Sequence, residues 1–417
     1  MLGSLLERAH ILLQQQRYAD AEKVLKQALA LEPDNSHTIL LLSEVYIQLD
    51  NYELAEPLID GAIINEPDRG VWFFLKGRIA MRKERYDQAE EHLETAVTLD
   101  PVNPDFHALW ASIKLGRKQF GAALEMANKS LELDPENILA LNIRSSALLK
   151  LKRSEESFQT IEGALREDPN NPYTHTNYGW NLLEQGDHKK ALIHFREALK
   201  NDPGYESAQS GMVQALKANN IFYRGFLKYQ FFMGNLTARY QWFVIIGFYL
   251  LVRFLRTLSE SNEALKPFLT PVIVLFSIFA LSTWVMRPIS NLFLRLNNYG
   301  RYLLSKDEIV SSNFVGGSLL VFLFGLTSYL ITDAEPWLIV SFVGFAMMVP
   351  CSMMMTKSKI KNAFLYYMIF MAVLGLAGIF TAFTNSPLFS MISIVFIISF
   401  IAFQWIANFL MIRSDNK

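Results

Sequence analysis

Few side chains in this sequence are placed to do covalent chemistry. Cys351 is the single cysteine, so neither an internal disulfide nor a thiolate metal cluster can form. The seven histidines all lie between residues 10 and 194, and none follows the HExxH spacing of a zinc hydrolase. Walker A and GxSxG motifs are absent as well. The residue types therefore predict no catalytic site, no metal site and no cofactor, and the chemistry that remains is binding.

Charge divides the chain into two unlike parts. Residues 1–220 contain 24 Lys and Arg against 33 Asp and Glu, a net charge of −9. Residues 221–417 contain 15 against 7, a net charge of +8. The first part is typical of a soluble domain, whereas the second is apolar, aromatic and sparsely basic. Nucleic-acid binding is not expected, because an acidic N-terminal domain repels phosphate.

Proline recurs with a period of 34 residues through the first part. The positions are Pro33, Pro67, Pro101, Pro135, Pro169 and Pro203. Small residues keep the same step in three further columns, which begin at Ala9, Ala21 and Ala28. Small side chains let packed helices approach each other, and proline ends a helix because it cannot donate to the helical hydrogen-bond ladder. The period therefore predicts six helix–turn–helix units, followed by a solvating helix near residues 205–218.

These columns resemble those of the tetratricopeptide repeat family, whose period is 34 residues. The resemblance covers residues 2–204 and implies an α-solenoid whose first helices line a concave groove. The repeat register then places one residue of each unit in an inward-pointing groove column: His10, Glu44, Arg78, Ser112, Ser146 and Trp180. Nearby positions are His37, Phe74, Met81, Asn142 and Tyr173. All are candidate contacts for a protein or peptide partner, and the alternative at each is ordinary surface or inter-repeat packing.

From about residue 241 the sequence contains six apolar segments, each near the length of about 20 residues that crosses a bilayer. They are residues 241–257, 268–286, 312–331, 336–354, 363–383 and 387–412. Lys and Arg concentrate in alternate loops, which predicts that the repeats and the C-terminus both lie in the cytoplasm. The N-terminus lacks the features of a signal peptide. We therefore expect a multi-pass protein of the bacterial inner membrane, with an oligomeric state that the sequence leaves open.

Two segments have the composition of helices that lie on a membrane surface. Residues 221–236 and 288–304 combine aromatic or aliphatic residues with Arg and Lys, which favours contact with anionic lipid headgroups. The alternative is that they are linkers packed on the membrane helices. The expected domains are six repeats with a capping helix over 1–218, a juxtamembrane interfacial helix over 219–240, and a six-span membrane domain over 241–412.

The predicted fold class is all-α, an N-terminal tetratricopeptide α-solenoid followed by a polytopic transmembrane bundle of about six helices. These features favour a membrane-anchored scaffold that is not an enzyme and that holds a protein partner in its groove. The alternative is a transporter, channel or lipid-handling subunit with regulatory repeats. Its polar groups would be Ser318, Thr327, Ser328, Ser341 and Gln404. Charged residues inside a membrane often mark such pathways. Arg253 is the single charge well inside a predicted span, and it lies late enough in its helix for its side chain to reach the membrane interface instead.

Overall fold

The computed structural model describes residues 1–294, 304–355, 362–384 and 390–414. These residues form 20 α-helices and no β-strand, which confirms the predicted all-α class. They divide into two compact units, with the boundary between Thr174 and His175.

The first unit is a series of helix pairs. Its helices are α1 (Leu2–Gln14), α2 (Tyr18–Leu31), α3 (Ser36–Gln48), α4 (Tyr52–Asn65), α5 (Gly70–Arg82), α6 (Tyr86–Leu99), α7 (Pro104–Gly116), α8 (Phe120–Leu133), α9 (Ile138–Lys150), α10 (Ser154–Glu167) and the start of α11 (Pro172–Gln185). The small residues of the 34-residue columns lie between the paired helices, where Ala9, Ala21 and Ala28 are fully buried. The columns therefore serve helix packing, as their spacing predicts.

Asparagine starts several of the first helices. The Asn35 side chain accepts a hydrogen bond from the backbone N–H of Thr38 at 2.9 Å, and Asn137 does the same for Ala140 at 3.0 Å. Such a cap satisfies one of the N–H groups that a helix leaves unpaired at its N-terminus. The recurring proline and the asparagine two residues later thus end one helix and begin the next.

The turn between the two helices of each repeat contains one residue with left-handed backbone. The residues are Gln16, Asp50, Glu84, Lys118, Lys152 and Gly186, with φ between 55° and 94°. They are 34 residues apart, but glycine occupies only the last position. A residue with a Cβ pays about 1–2 kcal/mol in this conformation, so the helix packing on either side must hold the turn.

The second unit contains the rest of α11 and nine further helices. These are α12 (His188–Asn201), α13 (Glu206–Lys217), α14 (Ile221–Gly234), α15 (Ala238–Ser261), α16 (Lys266–Leu294), α17 (Lys306–Thr332), α18 (Pro336–Met353), α19 (Ala363–Phe383) and α20 (Met391–Ser414). The last repeat and the apolar helices therefore belong to the same compact unit.

Within the described residues, four helices are long and apolar enough to cross a membrane, namely α15, α17, α18 and α19. A fifth is α16 if its two limbs, Lys266–Ala280 and Ser282–Leu294, form one span despite the 58° bend between them. The apolar stretch of α20 over Met391–Ala407 is shorter. The count of six spans therefore stays a prediction. The uninterrupted apolar segment 268–286 did not indicate the bend in α16.

Of the two predicted surface helices, α14 covers the first. It exposes Ile221, Phe222 and Phe232 along one side and buries Tyr223, Phe226 and Leu227 along the other. The second segment, 288–304, begins inside α16, and its residues 295–303 lie outside the described residues.

The hairpin of α17 and α18 depends on two glycines. A Cβ on Gly325 would lie 2.5 Å from the backbone nitrogen of Ser341. A Cβ on Gly344 would lie 2.4 Å from the backbone nitrogen of Phe322. The two backbones therefore touch directly at both points, an approach that small residues permit between apolar helices.

Candidate functional site

Adjacent repeats of the first unit bring Glu44, Phe74 and Arg78 together. Arg78 on α5 donates from Nη1 to Oε1 of Glu44 on α3 at 2.5 Å. The same guanidinium lies over the ring of Phe74, 5.7 Å from the ring centroid. Phe74 in turn stacks on the buried ring of Phe106 on α7, with centroids 5.0 Å apart. One chain of contacts thus joins three successive first helices, through the predicted positions Glu44, Phe74 and Arg78 and through Phe106, which was not predicted.

The Glu44–Phe74–Arg78 cluster is partly exposed. The side chains of Arg78 and Glu44 are 19% and 34% exposed, so another molecule can reach both. A guanidinium carries five N–H donors, and Arg78 can keep its bond to Glu44 while it donates to a carbonyl or carboxylate of a partner. Phe74 adds an apolar surface beside that polar group. The cluster is therefore suited to recognition of a segment that carries an apolar and a polar side chain together.

The other groove candidates of the first unit differ in exposure. His10 and His37 are exposed, whereas Met81, Ser112, Ser146 and Tyr173 are half-buried. Asn142 is fully buried and donates from Nδ2 to the carbonyl of Ile138 at 2.8 Å and to Oγ1 of Thr174 at 2.9 Å. Its amide joins α9 to the start of α11, so a partner cannot reach it in this conformation.

The groove candidate Trp180 lies in the second unit, where its ring is already packed. The ring contacts Phe195 of α12 edge-on, with centroids 5.6 Å apart, and Phe231 of α14 with centroids 6.4 Å apart. Its Nε1 donates to Oγ of Ser207 on α13 at 3.3 Å. Trp180 therefore belongs to a contact set of the second unit, with Phe195, Ser207 and Phe231.

Sequence reasoning missed Glu184, Phe231 and Asn235. Glu184 accepts a hydrogen bond from Nδ2 of Asn235 at 2.7 Å, one turn after the contact between Trp180 and Phe231. The spacing of four residues between Trp180 and Glu184 puts both on one helix face, which the sequence could have indicated. No sequence signal predicts that α14 folds back onto this face.

A histidine pair lies in the last repeat. Nδ1 of His175 and Nδ1 of His194 are 3.0 Å apart, and the ring of Tyr178 lies 4.2 Å from that of His194 between centroids. Burial, assisted by the neighbouring His175, lowers the pKa of His194 to about 4. His194 is therefore neutral at pH 7. Among the described residues, no three His, Cys, Asp or Glu side chains converge to hold a metal ion.

The helix expected to cap the repeats packs against the apolar half of the chain. Val213 of α13 forms a buried cluster with Leu294 and Leu304, and Leu216 and Ile309 pack against it. One face of α13 is therefore covered by residues from α16 and α17 rather than solvated. This face is buried because it carries the apolar residues Val213 and Leu216, which are more stable away from water.

A buried lysine lies beside this contact. Lys217 is 5% exposed, and its Nζ lies 5.8 Å from the centroid of the Tyr223 ring. Burial lowers the pKa of Lys217 to about 8, an effect that the carboxylate of Glu308 opposes and the guanidinium of Arg287 increases. Burial raises the pKa of Tyr223 to about 12. Lys217, Tyr223, Arg287 and Glu308 lie on α13, α14, α16 and α17, respectively. Together they join the last repeat region to the apolar helices.

A cavity of about 480 Å³ lies among α17, α18 and α19. Its wall is mostly apolar, with Phe314, Val321, Val343, Met347 and Leu376 among the lining residues. Ser318 also lines it, with Oγ 3.7 Å from Sγ of Cys351. The other polar candidates of the transporter alternative, Thr327, Ser328, Ser341 and Gln404, do not line it. The cavity therefore suits an apolar molecule better than an ion.

Comparisons with known structures find similar chains of low identity. PilF of Pseudomonas aeruginosa is 18% identical, over 50% of this chain and 95% of that one, with a TM-score of 0.40. PilW, described as a widely conserved type IV pilus biogenesis factor, is 17% identical over 50% and 97%, with a TM-score of 0.42. YrrB, described as a TPR protein with an unusual peptide-binding site, is 17% identical over 45% and 96%, with a TM-score of 0.33. These likenesses carry no functional argument.

Comparison with family models is more specific. Models of the tetratricopeptide repeat match residues 12–79, 73–103, 108–172 and 172–205. No curated protein matches the chain. Tetratricopeptide repeats act as protein-interaction scaffolds, stacking helix pairs into an extended binding surface. The matches confirm the resemblance seen in the 34-residue columns, and the repeat region of this chain belongs to the tetratricopeptide repeat family.

Proposed function

We propose that this chain is a membrane-anchored scaffold without catalytic activity. Its repeats bind a protein or peptide partner in their groove, and its apolar helices hold that partner at a membrane. The observation that carries the proposal is the Glu44–Phe74–Arg78 cluster. It offers a partly exposed cation and an aromatic surface from adjacent repeats of an interaction fold. Recognition by such a surface combines apolar anchors with a few oriented polar contacts.

The anchoring half of the proposal rests on the apolar helices. Phe243, Leu250 and Phe254 on α15 are 59%, 55% and 62% exposed. Large apolar side chains exposed together are unfavourable in water but not in the hydrocarbon of a bilayer. Because Lys and Arg lie in alternate loops, we assign the repeats and the C-terminus to the cytoplasmic side of a bacterial inner membrane.

Lipid headgroups are the second partner that we propose. On α14, Ile221 and Phe222 are 72% and 74% exposed, and Arg224 and Lys228 lie on the same helix. Such a helix would seat its apolar side chains at the headgroup boundary and its cations against anionic lipid. We propose the same contact with lipid headgroups for residues 288–304, because their sequence combines apolar residues with arginine.

The test of partner binding uses the full chain, because a fragment ending at residue 218 would uncover the apolar face of α13. Tagged wild type, Phe74→Ala and Arg78→Glu are cross-linked in native membranes, and the captured proteins are quantified by mass spectrometry. The control is Arg153→Glu, since Arg153 pairs with Glu156 at an exposed site away from the cluster. We expect Phe74→Ala and Arg78→Glu to lose at least about tenfold of the specific partner. Equal recovery from all four proteins would rule out the cluster as the binding site.

Orientation has a separate test. A reporter enzyme fused after Ala334, between α17 and α18, is expected to report the side opposite the cytoplasm. A cytoplasmic signal at this position would contradict the assigned topology.

The apolar cavity supports a second candidate, a lipid-handling subunit whose repeats are regulatory. Its wall among α17, α18 and α19 is of a kind that holds an acyl chain. Purified chain in liposomes distinguishes the two functions. The scaffold predicts neither ion flux nor lipid exchange above that of empty liposomes, and lipid exchange that is lost in Met347→Trp, which fills the cavity, would favour the lipid-handling function.

A further inference from the structure

The chain places one of its own helices on the groove column of its last repeat. The ring of Phe231 on α14 lies edge-on to the ring of Trp180, and Asn235 donates to Glu184 at 2.7 Å. The two contacts are one helical turn apart on α11 and on the α14 segment, in the same order. The two helices therefore run in the same direction across this contact.

The opposite side of α14 is held by the apolar half. The ring of Tyr229 lies edge-on to that of Phe279 on α16, with centroids 5.3 Å apart. Arg287 of α16 donates to Oε1 of Gln230. At the end of α14, Nε2 of Gln241 donates to the carbonyl of Met233 at 2.9 Å. This helix is thus a connection between the last repeat and the first apolar helices, with an aromatic ring and an amide directed at the repeat.

We infer that the face of α11 with Trp180 and Glu184 is a docking site for an amphipathic helix, and that α14 is its resident ligand. A partner helix with an aromatic residue and, one turn later, a hydrogen-bond donor competes with α14 for this face. The inference rests on the scaffold function proposed above and deepens it. It assigns the partner class at this repeat to an aromatic helix rather than an extended peptide.

The tether explains why the resident helix holds the site. α14 is joined to α11 through α12 and α13 of the same chain, so it acts on this face at an effective concentration of about millimolar. An external helix of similar intrinsic affinity is therefore excluded, and its apparent affinity falls in proportion to the fraction of open sites. Weakening the contacts of α14 alone should open the face and tighten binding of an external helix, whereas a purely structural contact would leave such binding unchanged.

The probe is a labelled synthetic peptide of residues 221–236, and the protein is the full chain in lipid nanodiscs. Its affinity is measured for wild type and for the double variant Phe231→Ala/Asn235→Ala, which keeps Trp180 and Glu184. We expect the double variant to bind the peptide about tenfold more tightly than wild type. A peptide with the same two alanine replacements corrects for binding to the lipid and should show no such gain.

Adding Glu184→Ala to the double variant tests the face itself. Glu184 is half-buried, so its loss should leave the repeat folded, as a thermal unfolding profile checks. We expect the gain in peptide affinity to disappear. Equal affinity of wild type and the double variant, or a gain that survives Glu184→Ala, overturns the inference. The scaffold proposal is contradicted by a different result, namely equal partner recovery with Phe74→Ala and Arg78→Glu. The peptide measurement does not affect that test, because its variants keep Phe74 and Arg78 and no captured partner is measured.

Discussion

Arg78 and Glu44 are 34 residues apart in the chain and 2.5 Å apart between Nη1 and Oε1. One repeat period separates them, so opposite charges at one column position meet across neighbouring repeats. The guanidinium also lies over Phe74, which withdraws part of it from water. The pair therefore joins two repeats and leaves a cation partly exposed.

We expect a double-mutant cycle of Arg78→Ala and Glu44→Ala to give a coupling free energy of about 1 kcal/mol, at the upper end for partly exposed pairs. Unfolding of the full chain provides the measurement. The matched control is Arg17 with Asp20, an exposed pair at the start of α2, for which about 0.3 kcal/mol is expected. Equal coupling free energies for the two pairs would show that partial burial does not strengthen the interaction between Arg78 and Glu44.

Replacement of Gly344 by Ala should loosen the hairpin of α17 and α18. The new Cβ would lie 2.4 Å from the backbone nitrogen of Phe322, so the two backbones must separate. We expect a loss of about 1–3 kcal/mol, seen as a lower unfolding midpoint in detergent. Gly317→Ala on α17 is the control, because nothing lies within 4 Å of its Cβ position. A midpoint for Gly344→Ala that equals that of Gly317→Ala would contradict the close contact.

Replacement of Lys217 by Met should stabilise the second unit at neutral pH. The pKa of Lys217 in the folded chain is about 8, below its ordinary 10.5, so the unfolded chain binds this proton more tightly. The penalty of the buried charge is fully present below pH 8 and is relieved as the pH rises toward 10.5. We expect a gain of up to about 3 kcal/mol at pH 7.

The measurement for Lys217 is the difference in unfolding free energy between variant and wild type from pH 7 to 10.5. This difference should shrink as the pH rises, because wild type then loses its buried charge. The groups that face Lys217 are Glu308, Arg287 and Tyr223, and all are unchanged in the variant. Lys200→Met serves as the control, since that side chain is 72% exposed. A difference that is constant with pH would exclude a buried ammonium.

The same substitution at two glycines should have opposite effects. Gly186 has a φ of +94°, so Gly186→Ala forces a side chain into an unfavourable conformation, and we expect a loss of about 1 kcal/mol. Gly163 lies inside α10 with only a side-chain atom of Arg166 near its Cβ position, so Gly163→Ala should gain about 0.5–1 kcal/mol. Thermal unfolding of both variants checks the two signs. A gain at Gly186 would show that the last turn does not require left-handed backbone.

Much of the repeat region could be predicted because its determinants are local and periodic. Proline and small residues act on the helix that contains them or on the next one, so their 34-residue spacing indicates where helices end and pack. The left-handed turn residues share this period in the structure, yet they are of several amino-acid types, such as Gln16 and Lys152. Their conformation is set by the helices around them, which is why no sequence column showed it.

The candidate site was predicted only in part. Column spacing correctly placed Glu44, Phe74 and Arg78 on neighbouring first helices, but not the hydrogen bond or the ring contact between them. It also included Asn142, which the structure buries completely, because register specifies a face and not the depth of a side chain. Exposure depends on which neighbours cover the face.

By itself, the amino-acid sequence determined the helical repeats, the apolar helices and the division of charge between the two halves of the chain. Each depends on composition or on spacing within about one repeat, which a linear pattern contains. Only the tertiary structure decided that α14 lies on Trp180 and Glu184, that α13 packs on α16 and α17, and that α16 bends. These contacts join residues distant in the chain, and they depend on shape and burial that no spacing specifies.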